Sequence, residues 1–421
     1  MVASEFSALP PDMELNESGR LIFEALLGGA SHREILALLA DTYDLTGREA
    51  EALRDLAGLT DLLADGGYVP TTSRVPLLRE LFLAVTDHCN LGCAYCNTWS
   101  SRHKAELTVL QLTTILERFA LYPLEALTVS GGEPLLHRDF PAMLAALEAA
   151  AVPWSLNTNG TLLDPRRIGL LAECRNLSGL LIGLDQIEGS SAGLKTHSKE
   201  LDLGLERLCA AAPHLSVRFF TVVTRENLEH LEPLVRYASE HGIAAVQLEP
   251  LLPVGRGEQS SSTLALDQKA WRRSFDLAAA LKERWGDLVQ GNLVSMGRHF
   301  AALASADPPT GPGTFRVCSA GTTKLAVRPD GGLIPCDRLW DLVVGNVFEE
   351  HLLDVVERSA ALRDLRERST VKLADREPGC SRCPVLPCCG GGCPAPGWYA
   401  HGSLHRLDLQ SCLHYYQEGQ R

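Results

Sequence analysis

At 421 residues, 45% hydrophobic and 22% charged, the chain has room for two or three globular domains. A formal net charge of -13 argues against a nucleic-acid partner, which would demand a basic face. No apolar run reaches the roughly 18 residues of a membrane span, and the first twenty residues lack the pattern of a secretory signal, so a cytoplasmic protein is expected. There the thirteen cysteines stay reduced, and their clustering reads as metal binding rather than disulfides. Residues 1–72 form a small helical domain by pattern. Leu21, Ile22, Ala25 and Leu26 make an apolar stripe closed by Gly28 and Gly29. Ser31 with Glu34, and Thr46 with Glu49, read as capping boxes. Helices carrying Ile35, Leu38 and Leu39, then Leu53, Leu56, Leu59, Leu62 and Leu63, are expected to follow.

"GGYVPTTSR" breaks this pattern as a linker, and from residue 78 to about 300 strands alternate with helices. "RELFLAVT", "LTVSGGEP", "PWSLNTNG", "GLLIGLD", "SVRFFTVVT" and "AAVQLEPL" are the strand candidates. The rhythm implies βα units on a parallel sheet, with ligands at the C-terminal strand ends. A Pro/Gly-rich joint, "AALASADPPTGPG", precedes a cysteine-dense tail, residues 310–421.

The loop after the first strand, "TDHCNLGCAYCNTWS", spaces Cys89, Cys93 and Cys96 as C-x3-C-x2-C. A 4Fe-4S cube has four irons, each taking one thiolate, so three cysteines leave one iron open. A structural zinc site wants four ligands, and His88 is at hand as the fourth. With Tyr95 ahead of the last cysteine and "GGEPLLHRDF" from Gly131, the pattern resembles the radical S-adenosylmethionine (radical SAM) superfamily. The resemblance implies a partial (βα)6 barrel whose open iron chelates the amino and carboxylate groups of S-adenosylmethionine (SAM). It implies reductive cleavage of SAM to methionine and a 5'-deoxyadenosyl radical, the cofactors carrying the chemistry. It also places Tyr95 among the cofactor-binding residues, lets the backbone at Gly131 and Gly132 approach the SAM amino group, and has Glu133 accept from it. Asn159 of "NTNG" is expected near the ribose, with Asp185, Asn227 and Gln247 on later strand ends. Two departures stand out. Gly183 and Gln186 flank "LD" where the family commonly has Ser and Gly, and Lys195 is the basic residue nearest the place of an arginine for the SAM carboxylate.

In the tail, Cys318, Gly331-x4-Cys336, Cys380-x2-Cys383-x5-Cys389-x3-Cys393 and Cys412 resemble the SPASM extension of radical SAM enzymes. The resemblance implies two auxiliary clusters, making three 4Fe-4S clusters in all. Cys380, Cys383, Cys389 and Cys412 would hold one. Cys318, Cys336 and Cys393 would hold the other, leaving an iron open or taking a non-cysteine ligand. Cys388 is an extra thiol beside Cys389, and a zinc ribbon accounts for four of the cysteines but not for Cys318, Cys336 and Cys412. Asp337, after Cys336, matches a candidate general base of sulfatase-maturing relatives; hydrogen bonding in a turn is the other reading. Cys174 and Cys209 fall outside these patterns and read as small buried apolar residues.

"MELNESGRLIFEALLGGASHREILALLADTYDL" resembles the small peptide-binding chaperone of pyrroloquinoline quinone biosynthesis, a winged-helix-like recognition element for leader peptides. That resemblance implies binding of a leader strand by β-augmentation. Thirteen acidic and four basic side chains in residues 1–72 speak against DNA as the partner. Together the three parts predict a peptide maturase. It would crosslink or dehydrogenate a ribosomally made precursor bearing a leader, with a flavodoxin or ferredoxin as electron donor. The rivals are a radical SAM enzyme acting on a folded protein or a small metabolite, and a non-catalytic zinc-binding scaffold.

Overall fold

The computed structural model describes residues 15–98, 104–187, 193–303, 318–368, 373, 378–381, 386 and 390–407, with 298–303 by backbone only. Three helices lead: α1 (Glu17–Leu27), α2 (His32–Thr42) and α3 (Glu49–Asp65). Asn16 caps α1 by accepting from the Gly19 amide, and Ser31 and Glu34 form the expected reciprocal box on α2. The second expected box does not form. Asp44 captures the Thr46 amide, and α3 starts behind Arg48 with no side-chain cap. Ile22, Ile35, Leu39, Leu53 and Leu56 bury their apolar sides, whereas Leu38 and Leu62 face solvent. Among the described residues before Glu80 there are helices but no strand.

The six predicted strands all form, as β1 (Glu80–Thr86), β2 (Ala126–Gly131), β3 (Trp154–Thr158), β4 (Leu177–Gly183), β5 (Ser216–Val223) and β6 (Ala245–Pro250). Between them run α4 (Val109–Phe119), α5 (Phe140–Ala149), α6 (Pro165–Ala172), α7 (Lys199–Ala211) and α8 (Leu231–Glu240). Each strand pairs in parallel with the next, in sequence order. β1 is buried from Leu81 to Thr86 without alternation, as a parallel strand covered on both faces must be. All ligand-side loops therefore leave the same rim.

The sheet then grows at both edges, which the sequence pattern did not reveal. After α9 (Arg256–Leu264) and α10 (Gln268–Trp285), the two-residue β7 (Val289–Gln290) adds beside β6, followed by α11 (Asn292–Leu303). In the tail, β8 (Lys324–Val327) adds in parallel on the free side of β1. β9 (Gly332–Ile334) and β10 (Gly345–Asn346) continue antiparallel. The cysteine-rich tail is thus an extension of the barrel sheet. Helices α12 (Leu352–Arg358), α13 (Ala360–Glu367) and α14 (Pro394–His401) complete it. The first helices dock there: Arg33 pairs with Asp354 at 2.7 Å, and the His32 amide donates to Glu357 at 3.1 Å. Among the described residues no helix is long and apolar enough to cross a membrane.

Candidate active site

The rim of β1–β6 opens into a cavity of about 750 Å³. Cys89, Cys93 and Cys96 line one side, on the loop leaving β1. Backbone contacts clamp this loop from three directions. The Gly132 and Glu133 amides, at the end of β2, donate to Thr86 and His88 carbonyls at 2.7 Å each. The Ala94 amide donates to the Gly193 carbonyl at 3.0 Å, and the Arg256 amide to the Cys96 carbonyl at 2.9 Å. The glycines at these contacts are required by space: a Cβ on Gly132 would stand 2.2 Å from the His88 carbonyl oxygen. Gly131 and Gly132 therefore seat the cysteine loop as well as bordering the cavity. Gly132→Ala is expected to displace the loop and lower iron incorporation, measured as iron per chain after anaerobic reconstitution.

Two buried polar knots brace the loop. The Tyr95 hydroxyl donates to Asp185, whose carboxylate also accepts the Lys195 amide at 2.8 Å and the Val222 amide at 3.0 Å. Asn227 donates to the Asp185 and Val222 carbonyls, at 3.0 Å each, and accepts the Thr224 amide. Burial drives the Tyr95 phenol well above its usual pKa, and the Asp185 charge adds to it, so the hydroxyl stays a donor. On the other side, the buried Glu133 carboxylate accepts from the Leu135 amide, the Thr158 hydroxyl and the Asn159 amide. The Asn159 side chain bridges to Asn90, in the cysteine loop, at 2.8 Å.

The structure separates the expected site residues into two groups. Tyr95, Gly131, Gly132 and Asn159 line the cavity, but Glu133, Asp185, Asn227 and Gln247 do not. The carboxylates of Glu133 and Asp185 and the amide of Asn227 are consumed by internal donors and acceptors, so they hold the walls in place. On β6 the cavity residues are Glu249 and Pro250, beyond Gln247 and closer to the rim. Lys195 does line the cavity, and its ammonium lies 5.7 Å from the centre of the Tyr95 ring. Burial alone would lower its pKa; the charges of Cys93, Asp185 and Cys96 outweigh this and raise it. The glycine that departs from the family pattern has a purpose here. A Cβ on Gly183 would stand 2.2 Å from the Lys195 Nζ.

Cys318, Cys336 and Cys393 line the same cavity. Burial pushes the Cys336 thiol up, and Asp337, Cys393 and Cys318 add to that, so the three sulfurs feel one another. Cys393 is the N-cap of α14, where the helix dipole favours a thiolate. The loop before it, Gly390–Gly392, is pinned by the buried Arg368. That guanidinium donates to the Gly390, Gly391 and Gly392 carbonyls at 3.1 to 3.2 Å and to Leu404 at 3.1 Å. No local sequence signal marks this arginine. Of the other expected set, Cys380 is buried beside Leu373 and Leu386, while Cys383, Cys389 and Cys412 lie outside the described residues, as does Cys388. Cys174 is buried as expected, but Cys209 is exposed on α7.

The two cysteine walls touch through Asn97, whose amide donates to the Asp337 carbonyl at 3.2 Å. The Asp337 carboxylate pairs with Lys324 at 3.1 Å. Burial would raise its pKa, but Lys324 and Arg338 outweigh that and hold it below the usual carboxylate range. Arg338 reaches Glu249 at 3.4 Å, and Glu249 also accepts both the backbone and side-chain amides of Asn292. Among the described residues no three Cys, His, Asp or Glu side chains converge as a single ion requires. The cysteines instead stand in two triplets facing one cavity, a donor set that fits bodies larger than an ion.

The pattern of the radical SAM superfamily matches residues 83–238, and that of the SPASM iron-sulfur cluster-binding domain matches residues 318–384. The chain is a radical SAM enzyme with a SPASM domain. Its cofactors are iron-sulfur clusters and SAM. The mycofactocin maturase MftC of Mycolicibacterium smegmatis is 24% identical over 321 residues, 75% of this chain and 78% of that one. The AdoMet-dependent heme synthase of Methanosarcina barkeri is 25% identical over 340 residues, 77% of this chain and 93% of that one. In fold, this radical SAM/SPASM chain matches the crystal structure of Streptococcus suis SuiB bound to precursor peptide SuiA. The TM-score is 0.65 at 16% identity, over 95% of this chain and 93% of that one.

Proposed function

We propose that this enzyme oxidatively modifies a ribosomally made precursor peptide, by crosslinking or dehydrogenation. The observation that carries the reading is the single cavity walled by two cysteine triplets, Cys89/Cys93/Cys96 and Cys318/Cys336/Cys393. A substrate in that cavity has both a radical source and an electron acceptor within its walls. When bound, SAM and the clusters supply a 5'-deoxyadenosyl radical that takes a hydrogen atom, and a sink for the second electron. The chain's own residues do the rest. Cys89, Cys93 and Cys96 hold the SAM-binding cluster. Cys318, Cys336 and Cys393 hold one auxiliary cluster, and Cys380 with Cys383, Cys389 and Cys412 the other, three clusters in total. Phe82, Leu181, Phe220, Trp271 and Met296 give the cavity apolar walls that exclude water from the radical. Asp337, ionised beside Lys324, takes the proton released as the second electron leaves.

Lys195 is the anchor for the SAM carboxylate, in the space Gly183 leaves. Lys195→Met should weaken SAM binding roughly 10- to 100-fold, the value of a charge-assisted hydrogen bond. Equilibrium titration of SAM against reconstituted protein, normalised to iron per chain, measures this.

The likeness in fold to SuiB, solved with a precursor peptide, favours a peptide over a small metabolite, and we assign its leader to residues 1–72. A flavodoxin or ferredoxin of the cytosol supplies electrons. The deciding experiment incubates the anaerobic holoenzyme with SAM, a reductant and the precursor peptide encoded beside its gene. A peptide product two mass units lighter, formed with 5'-deoxyadenosine, is expected; an unmodified peptide would overturn the reading. The heme synthase relative keeps a metabolite substrate as the second reading.

A further inference from the structure

Among the described residues, every charged side chain lining the cavity but one has a partner or lies against the cysteine loop. Glu249 is held by Arg338 and Asn292, and Asp337 by Lys324. Arg256 has interactions of its own. Lys195 sits among the cysteines at the rim. Arg218 is different. It lies on the cavity face of β5 with Phe220 and Val222, the alternate residues that also line the space. Four residues before Val222, it stands about 13 Å deeper than the rim at 3.3 Å per residue. Among the described residues its guanidinium has no hydrogen bond or ion pair, and its Nε is shut off from solvent. Two strands away, Asn157 carries a second buried atom without a partner, its Oδ1. The register joins them: Asn157 pairs with Leu181, and Leu181 with Arg218. The hydroxyls of Thr128 and Ser155 line the same floor.

Leaving a partly buried guanidinium unpaired costs free energy, so its partner is to be sought in what enters the cavity. The cavity's own carboxylates are already engaged. We propose that Arg218 is a substrate anchor that binds a carboxylate at the floor of the cavity, with Asn157 accepting a hydrogen bond from an adjoining N–H. This rests on the peptide reading for the nature of the substrate. In a peptide the carboxylate is either the C-terminus or an Asp or Glu side chain. An arginine suits both, because its planar fork matches a carboxylate with two parallel hydrogen bonds. The carboxylate would fix the substrate's depth, and with it the C–H presented to the rim.

The test uses SAM-loaded anaerobic holoenzyme and three small probes: N-acetylglycine, N-acetylglycinamide, and the α-amide of N-acetylaspartate. Calorimetric titration should show at least one carboxylate probe binding roughly 10- to 100-fold more tightly than the neutral amide, the range of a hydrogen bond to a charged group. Which of the two binds identifies the source. Arg218→Met should abolish the preference and Arg218→Lys keep part of it. Neither variant should lower the Tm or the affinity for SAM, since no internal partner is lost. Equal binding of acid and amide would overturn the anchor, as would a preference that survives in Arg218→Met or a Tm that falls in both variants. The outcome is separable from the peptide reading. An Arg218-dependent carboxylate preference with no precursor modified keeps the anchor and removes the peptide. Precursor modification by Arg218→Met at an unchanged KM does the reverse.

Discussion

Cys93→Ala protein, prepared and reconstituted without oxygen, should form no 5'-deoxyadenosine above background, with or without a peptide. Cys93 packs with Tyr95, Val222, Leu251 and Leu264 at the foot of the cysteine loop. Burial raises its thiol pKa, and the nearby Lys195 offsets only part of that, so iron must displace the thiol proton on binding. Three thiolates leave one iron open for SAM, and two cannot hold the cube in that state. Cys89→Ala and Cys96→Ala should behave alike. The fold should survive, because the loop is tied by backbone contacts to Gly132, Gly193 and Arg256 rather than by its sulfurs. The controls are Cys174→Ala and Cys209→Ser, whose side chains lie outside the cavity lining; both should retain SAM cleavage. Cleavage at the usual rate in Cys93→Ala would remove the role given to this loop. Far-ultraviolet dichroism, 5'-deoxyadenosine yield and iron per chain decide the matter together.

The barrel was legible because each parallel strand announces itself. "RELFLAVT" and "SVRFFTVVT" are apolar runs of strand length, and a strand buried on both faces has little choice of residue. The Cys89, Cys93 and Cys96 spacing was legible because those ligands are of one type and share one loop. What was not legible is which polar residues at strand ends are engaged within the chain. Glu133, Asp185 and Asn227 stand where ligands bind, yet each is spent on backbone amides and carbonyls. A sequence shows that a carboxylate is present near a rim but not which donors reach it first. The short strands β7 to β10, of two to four residues, carry too few positions for any period to register. Arg218 leaves a trace, a cation inside an apolar strand. Arg368 left none, since its four carbonyl partners come from two loops more than twenty residues away.

Arg368→Met should cost the protein the auxiliary cluster held by Cys318, Cys336 and Cys393 while leaving the SAM-binding site intact. The guanidinium is 7% exposed and gives its hydrogens to the three consecutive glycines that lead into Cys393. Those glycines all have positive φ, a path the backbone keeps only while something holds it. Removing the donors leaves buried carbonyls unpaired at about 1–3 kcal/mol each, enough to open the loop. Lysine is no substitute, because a single ammonium cannot reach four carbonyls arrayed around a planar fork. Iron per chain should fall by about four atoms, one cube. SAM cleavage should continue but uncoupled, yielding 5'-deoxyadenosine without peptide product. Full iron and coupled turnover in Arg368→Met would show that the loop holds without its arginine. Loss of SAM cleavage as well would show that the two cysteine walls, joined through Asn97 and Asp337, stand or fall together.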